Sequence, residues 1–224
     1  TALGALVASD IDKAELEKKL KIWNAFQFER VGFNLRPQLV ALKDANGDAA
    51  AFGEKAKLIA ETSEFNLVLM TEKEDVMKAG VEAAGFKRPL LYAATEATVD
   101  AFGALAKDND LPLAVKADSV EALIPLTDKL TEMGLKDLVI DSGSREVKKA
   151  LEDQVIIRRA ALKQSNRSLG FSTIAFPCEM ADNIDVETMI SAMFIGKYGG
   201  IVIQSDFSGE SLFPLLLERL NIYT

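Results

Sequence analysis

The residues best suited to chemistry in this chain are consecutive: Asp141, Ser142, Gly143, Ser144 and Arg145. They follow an apolar, β-branched run and precede a helical pattern, which indicates a loop between a buried strand and a helix. Backbone N–H groups at the helix start, a glycine that permits close approach, two hydroxyls and a guanidinium could hold a phosphate or a carboxylate. Asp141 would repel an anion unless it first paired with Arg145. Helix capping with an internal Asp141–Arg145 pair is therefore the competing interpretation.

Two further side chains could be reactive. Lys116 ends an apolar run, and a lysine desolvated at the end of a strand could form a Schiff base. An ion pair with Asp118 or Asp141 is the alternative for this lysine. Cys178 also follows an apolar run and would be reactive if a positive environment lowered its pKa. The chain has no histidine to activate the thiol, which favours a buried and inert cysteine.

Composition excludes several classes of function. Without histidine there is no histidine-based triad, and the usual zinc and non-haem iron sites are excluded. One cysteine permits neither an internal disulfide nor a thiolate-held iron–sulfur cluster. We therefore assign no catalytic or metal-binding residue. Because a chain without disulfides fits a reducing compartment, we expect a cytoplasmic location. The net charge is -8 and the basic residues form no stripe, which argues against nucleic acid and an anionic membrane as partners. No apolar run approaches the roughly 20 residues that a membrane helix needs.

The elements that must position these residues repeat along the chain. Apolar runs of strand length alternate with helical patterns, and the runs lack the in–out alternation of a half-exposed sheet, so both faces of each strand are expected to be buried. After a first run at residues 1–8, the strand starts recur roughly every 23 to 33 residues, near the pitch of an eight-unit barrel. These starts are Leu39, Leu67, Leu90, Leu113, Leu138, Phe171 and Ile201.

This pattern predicts an α/β fold, a closed parallel (β/α)8 barrel, with a doubly wound open sheet as the alternative. No linker or change of composition divides the chain, so we expect one domain over residues 1–224. Asp12, Asp48 and Asp185 are predicted helix N-caps, and the spacing of Thr71 and Glu74 predicts a capping box. The segment 28–36 stays ambiguous.

In such a barrel the strand-to-helix loops share one face, where barrel enzymes keep their sites. Most of the polar residues expected there could equally act as N-caps of the following helices. They are Ser9, Asp10, Asp44, Thr71, Thr95, Lys116, Asp118, Asp141–Arg145, Pro177–Glu179 and Ser205–Ser208.

Seven runs together resemble the barrel domain of the large (gamma) subunit of the corrinoid iron–sulfur protein, part of the acetyl-CoA decarbonylase/synthase system. They occur in the family's order from one end of the chain to the other. At the loop 141–145 the family pattern reads Asp-Pro-Gly-Ala-Arg, whereas this chain has serine at positions 142 and 144. The runs are FERVG (Phe28–Gly32), NLVLM (Asn66–Met70), RPLLYAAT (Arg88–Thr95), LPLAVKA (Leu111–Ala117), KDLVIDSGSR (Lys136–Arg145), RSLGFSTIAF (Arg167–Phe176) and RLNIYT (Arg219–Thr224).

The resemblance implies a methyl carrier that takes a methyl group from a methyl-tetrahydropterin through a methyltransferase and delivers it to acetyl-CoA synthase. The family's large subunit has an N-terminal [4Fe-4S] domain, a barrel and a C-terminal cobamide domain, and it pairs with a small subunit. This chain matches the barrel alone, so no family cofactor ligand can be placed on its residues. The resemblance therefore implies a scaffold that is not itself catalytic and forms the central part of a longer chain.

Two other functions are compatible with the sequence. One is a free-standing barrel methyltransferase that depends on a pterin, of the dihydropteroate-synthase type, in which Asp141 or Asp118 would hydrogen-bond the pterin. The other is a lysine-dependent aldolase that acts through Lys116.

Overall fold

Eight parallel strands close into a barrel in this computed structural model, which describes residues 1–222. Around the barrel the order is β1, β10, β9, β8, β7, β6, β5 and β4, and β4 pairs with β1 to close it. The predicted (β/α)8 barrel is thus confirmed, and the open sheet is excluded. Residues 223 and 224, which end the predicted domain, lie outside the described residues. The barrel strands are β1 (Ala2–Ala8), β4 (Leu39–Lys43), β5 (Asn66–Met70), β6 (Leu90–Ala94), β7 (Leu113–Lys116), β8 (Leu138–Asp141), β9 (Ser172–Ala175) and β10 (Ile201–Gln204).

Helices cover the outside of the barrel. Asp12 and Asp48 accept backbone N–H hydrogen bonds as N-caps, as predicted. The N-cap predicted at Asp185 is wrong, because the side chain of Asn183, two residues earlier, accepts the N–H of Val186 and caps that helix. None of the helices in residues 1–222 is long and apolar enough to cross a membrane. The helices are α1 (Lys13–Asn24), α2 (Ala49–Thr62), α3 (Glu74–Ala84), α4 (Val99–Asp108), α5 (Val120–Glu132), α6 (Val147–Lys163), α7 (Ile184–Gly196) and α8 (Gly209–Ile222).

The capping box predicted at Thr71 is wrong. Helix α3 begins only after Lys73, which caps it without a side-chain hydrogen bond. The Thr71 hydroxyl donates to Oδ2 of Asp44 at 2.9 Å, and its oxygen accepts the N–H of Lys73 at 3.1 Å. The Thr71 oxygen therefore serves a backbone N–H that precedes the helix, and not the N–H of Glu74 that a capping box requires.

The ambiguous segment forms a short antiparallel hairpin of β2 (Phe28–Arg30) and β3 (Phe33–Leu35). Its two-residue turn has positive φ at Val31 and Gly32, as a type I′ turn requires. Phe28 contacts Phe213 with ring centroids 5.1 Å apart, which ties the hairpin to α8.

The core has two layers, one between the strands and the helices and one inside the barrel. Because side chains alternate along a strand, the residues two positions beyond the central lumen layer also face the barrel axis. They form the uppermost inward layer at the carboxyl ends of the strands, which we call the mouth layer. On the six strands from β4 to β9 its members are Lys43, Met70, Tyr92, Lys116, Asp141 and Phe176.

Candidate functional site

The guanidinium of Arg145 lies at the centre of the mouth layer. Its Nη1 and Nη2 atoms donate to Oδ1 and Oδ2 of Asp141 at 3.2 and 2.8 Å. The Nε atom donates to Oε2 of Glu179 at 2.6 Å. Nη1 also donates to the carbonyl oxygen of Ser144, and Nη2 to the hydroxyl of Tyr92, both at 3.1 Å. Since arginine has five N–H donors, all of its donor capacity is used within the chain.

The carboxylate of Asp141 is equally committed. Its side chain is only 4% exposed. Besides the two contacts with Arg145, Oδ1 accepts from the backbone N–H of Gly143 at 2.9 Å and Oδ2 accepts from the Tyr92 hydroxyl at 2.5 Å. Two hydrogen bonds at each oxygen fill the acceptor capacity of a carboxylate. Asp141 therefore has no acceptor position left for a ligand while Arg145 is in place.

Two aromatic rings complete this cluster. The Arg145 Cζ atom lies 4.7 Å from the ring centroid of Phe176, in cation–π geometry. Tyr92 meets the same ring edge-on, with centroids 5.0 Å apart. Burial raises the pKa of Tyr92 well above its ordinary value, and the nearby charge of Asp141 raises it further. The phenol is thus neutral at physiological pH and can donate to the carboxylate.

Charge pairing in the cluster extends to Lys43, whose Nζ atom donates to Oε1 of Glu179 at 3.0 Å. Burial alone would raise the pKa of Glu179, but hydrogen bonds from Arg145 and Lys43 outweigh burial and lower it. Burial likewise acts to lower the pKa of Arg145, yet its hydrogen bonds and charge interaction with Asp141 raise it. Both groups are therefore charged, and the network is held by ion pairs as well as by hydrogen bonds.

The loop 141–145 is built around Gly143. Its φ of +74° is accessible to glycine, and a Cβ atom there would lie 2.5 Å from the carbonyl oxygen of Ala117. Ser144 donates to Oδ2 of buried Asp153 on α6 at 2.6 Å. Helix α6 begins at Val147 and has the acidic Glu146 as its N-cap. The internal Asp141–Arg145 pair of the competing interpretation is present, but its helix capping is not, because Glu146 is the N-cap and makes no side-chain hydrogen bond. An anion at this loop stays a prediction that these contacts do not favour.

Lys116 and Cys178 fall near this cluster without joining it. No ion pair connects Lys116 to Asp118 or Asp141 in the described part of the chain, although Lys116 and Asp141 are paired in strand register. Lys116 faces a cavity at the mouth, so its Schiff-base chemistry stays a prediction. Burial and the charges of Glu179 and Glu187 raise the pKa of Cys178 to about 12. Its thiol is therefore protonated and unreactive at neutral pH.

A cavity of about 350 Å³ opens beside the Arg145 network. This volume is within the range of small-molecule sites. Within residues 1–222, no three His, Cys, Asp or Glu side chains converge as metal ligands would. The cavity is lined by Lys43, Asp44, Met70, Thr71, Glu72, Lys73, Tyr92, Ala93, Thr95, Lys116, Arg145 and Glu179.

The remaining strand-end residues act mainly in local structure. Asp44 accepts from the N–H of Gly47 at 2.7 Å in addition to the Thr71 hydroxyl. Ser205 donates its N–H and its hydroxyl to buried Glu187 at 2.5 and 2.6 Å. Asp206 accepts from the indole N–H of Trp23 at 2.8 Å. These residues are not brought into the Arg145 cluster.

Sequence reasoning missed Tyr92 and Phe176 as members of the cluster. Both occur in continuous apolar runs, where a buried strand gives no sign of which side chains face the axis. Knowledge of the strand ends alone would not have identified them, since Tyr92 lies two residues before the end of β6 and Phe176 lies one residue after the end of β9.

The closed parallel barrel, with its polar mouth layer, defines a (β/α)8 barrel protein. Among solved structures, the chain is similar to dihydropteroate synthase from Xanthomonas albilineans in complex with 7,8-dihydropteroate, at 12% identity and a TM-score of 0.68, over 99% of this chain and 93% of that one. It is also similar to a truncated 3-deoxy-D-arabino-heptulosonate 7-phosphate synthase from Thermotoga maritima, at 12% identity and a TM-score of 0.68, over 99% of this chain and 86% of that one. At such identities the likeness shows the fold alone.

The chain belongs to the family described as CO dehydrogenase/acetyl-CoA synthase delta subunit, whose model matches residues 3–224. It is 38% identical over 224 residues to the corrinoid/iron-sulfur protein large subunit of Moorella thermoacetica, which covers 100% of this chain and 50% of that protein. It is 30% identical over 231 residues to the acetyl-CoA decarbonylase/synthase complex subunit gamma 2 of Methanosarcina mazei, over 97% of this chain and 49% of that protein. The resemblance found in the sequence is thereby confirmed, and the chain spans about half the length of these relatives. Although the family description names a delta subunit, these individual relatives carry the large- or gamma-subunit name.

Proposed function

We propose that this barrel is the scaffold domain of the large subunit of a corrinoid iron–sulfur methyl carrier. The observation that carries the proposal is the 38% identity over the whole chain to a protein of that name. In this role the complete protein accepts a methyl group from a methyl-tetrahydropterin through a methyltransferase and passes it to acetyl-CoA synthase. A small subunit would pair with it, and the assembly would work in the cytoplasm.

The cofactors of such a carrier do not fit the residues of this barrel. A [4Fe-4S] cluster needs four thiolates, whereas this chain has one cysteine, whose thiol is held protonated. There is no histidine for cobalt ligation, and Asp141, Arg145, Glu179 and Lys43 are paired with one another. In the proposal, both the cobamide and the cluster are therefore bound by other parts of the complete protein.

The alternative, a free-standing pterin-dependent methyltransferase, needs a carboxylate that can hydrogen-bond the pterin. Asp141 and Asp118 are the predicted candidates, and the four acceptor positions of Asp141 are filled by Arg145, Tyr92 and Gly143. Asp118 is exposed in the loop after β7 and lines a second open cavity, of about 650 Å³. The geometry therefore argues against the alternative at Asp141, and a pterin contact through Asp118 stays a prediction.

Methyl transfer by the complete protein distinguishes the two functions. The protein is incubated with isotopically labelled methyl-tetrahydrofolate, with and without a partner methyltransferase. We expect label on the protein only when the methyltransferase is present, and the same transfer rate in an Asp141→Asn variant that is still folded. Transfer without the methyltransferase, abolished by Asp141→Asn, would establish the barrel as the catalyst and overturn the scaffold role.

A further inference from the structure

We propose that the barrel mouth is a recognition site for planar guanidine-type cations, and that the chain fills it with its own Arg145. The guanidinium is bound on its edges by two carboxylates and a phenol, and on its face by a phenyl ring. This combination of a two-point carboxylate contact with aromatic stacking is how planar guanidinium groups are recognised. The proposal goes beyond the scaffold role and does not depend on it.

The residues that recognise the guanidinium come from different strands. Tyr92 is on β6, Asp141 ends β8 and Phe176 follows β9, whereas Arg145 reaches them from a loop. They also hold one another without Arg145, because the Tyr92 hydroxyl donates to Asp141 and the Tyr92 ring packs against Phe176. The Gly143 N–H fixes the other oxygen of Asp141. The site should therefore keep its shape when the Arg145 side chain is absent.

An empty site would attract a cation strongly. Asp141 is only 4% exposed, and a buried carboxylate without a counter-charge is destabilising. A small planar cation restores both the charge balance and the two-point hydrogen bonds. The neighbouring cavity of about 350 Å³, to which Arg145, Tyr92 and Glu179 all contribute, gives such a cation a route from solvent.

In the wild-type protein the site is occupied by its own side chain. The Arg145 side chain is 24% exposed, so rotation about its own bonds can move the guanidinium into the adjoining cavity. The backbone of the loop cannot follow, since Gly143 packs against the carbonyl of Ala117. An external guanidine-type ligand must therefore compete with an intramolecular one at high effective concentration.

The test uses the complete protein and methylguanidinium as the probe, measured by isothermal titration calorimetry and by the shift of the thermal midpoint. We expect Arg145→Ala to bind methylguanidinium at least about tenfold more tightly than the wild type, because the internal competitor is removed. Methylammonium, which has the same charge but is not planar, should bind more weakly. Lys148→Ala is the control, since it removes an exposed cation three residues from Arg145. Its affinity for methylguanidinium should stay at the wild-type level.

The double variant Asp141→Asn with Arg145→Ala distinguishes binding at this site from general cation binding. We expect it to lose the increase in methylguanidinium affinity that Arg145→Ala alone shows. If Arg145→Ala does not fold, Arg145→Met takes its place in the same titration, because methionine keeps the apolar part of the arginine side chain. A folded Arg145 variant that binds no more methylguanidinium than the wild type would overturn the proposal. Equal affinity for methylguanidinium in Arg145→Ala and in the double variant would overturn the proposal as well. Neither result bears on methyl transfer, so the scaffold role is judged separately.

Discussion

The carboxylate of Asp141 and the guanidinium of Arg145 meet in a two-point contact, with 3.2 Å from Nη1 to Oδ1 and 2.8 Å from Nη2 to Oδ2. The two residues are four positions apart, with Gly143 turning the chain between them. The contact neutralises a carboxylate that is nearly fully buried. It also occupies the groups that could otherwise have bound a substrate at the barrel mouth.

Removal of Arg145 alone should be costly. We expect Arg145→Met to lower the free energy of unfolding by about 3 kcal/mol, since it leaves Asp141 buried and uncompensated. The double variant with Asp141→Asn should lose less than the sum of the two single variants, because the second change removes the unpaired charge. Urea unfolding measures the free energies of unfolding of the two single variants and the double variant. Lys57→Met, which breaks an exposed pair with Glu61, is the control and should cost under about 0.5 kcal/mol. Additive losses at Asp141 and Arg145 would show that the pair is not coupled.

Gly143 is expected to tolerate no side chain. Gly143→Ala combines a positive φ with a Cβ 2.5 Å from the Ala117 carbonyl oxygen. Gly134→Ala is the matched control, with φ of +97° and no atom within 4 Å of the added Cβ. We expect a loss of about 1 kcal/mol for the control, from backbone strain alone, and a clearly larger loss for Gly143→Ala. Denaturant midpoints compare the two, and equal losses would contradict the close packing of the loop.

The stability of the protein should fall in alkaline solution because of Tyr92. Its folded-state pKa is raised above the ordinary value of 10.0, chiefly by burial and then by Asp141. The stabilisation from this group is therefore complete below pH 10 and is lost as the pH rises through the folded-state pKa.

Tyr92→Phe isolates this effect. At pH 7 we expect it to lower the free energy of unfolding by about 1.5–3 kcal/mol, since a hydrogen bond to a charged group is removed. Above pH 10 the difference from the wild type should narrow, because phenylalanine cannot ionise. Urea unfolding at pH 7 and from pH 9 to 11 tests this, and a constant difference would argue against a buried, neutral phenol.

Gln204, at the end of β10, is fully buried, and neither amide atom has a hydrogen-bond partner within residues 1–222. Because an unsatisfied buried amide is destabilising, Gln204→Met should raise the free energy of unfolding by about 1 kcal/mol. Gln154 is also buried, but it accepts a hydrogen bond from Thr173 at 2.6 Å. Gln154→Met is therefore the control and should destabilise the protein. Similar losses at both positions would mean that the Gln204 amide is satisfied in solution.

Much of the fold could be predicted because its signals are local. Runs such as Leu138–Asp141 are too apolar for a half-exposed strand, and their spacing matches a barrel. The Asp141–Arg145 pair could be foreseen because both residues occupy one short loop. Tyr92, Phe176 and Glu179 reach Arg145 only through barrel closure and strand register, which local patterns do not encode. The capping box at Thr71 is wrong because the Thr71 oxygen accepts the N–H of Lys73, before the helix begins, and the spacing of residue types does not show where the helix starts.

The most direct test of the central claim is the intact mass of the native protein, measured together with its visible absorption spectrum. If this barrel is the scaffold of a corrinoid iron–sulfur methyl carrier, the mass should be about twice the 24.3 kDa of this chain, with corrinoid and iron–sulfur absorption. A colourless protein with a mass near 24.3 kDa would contradict the claim. The barrel would then act by itself, and its function would have to be sought at the mouth around Arg145.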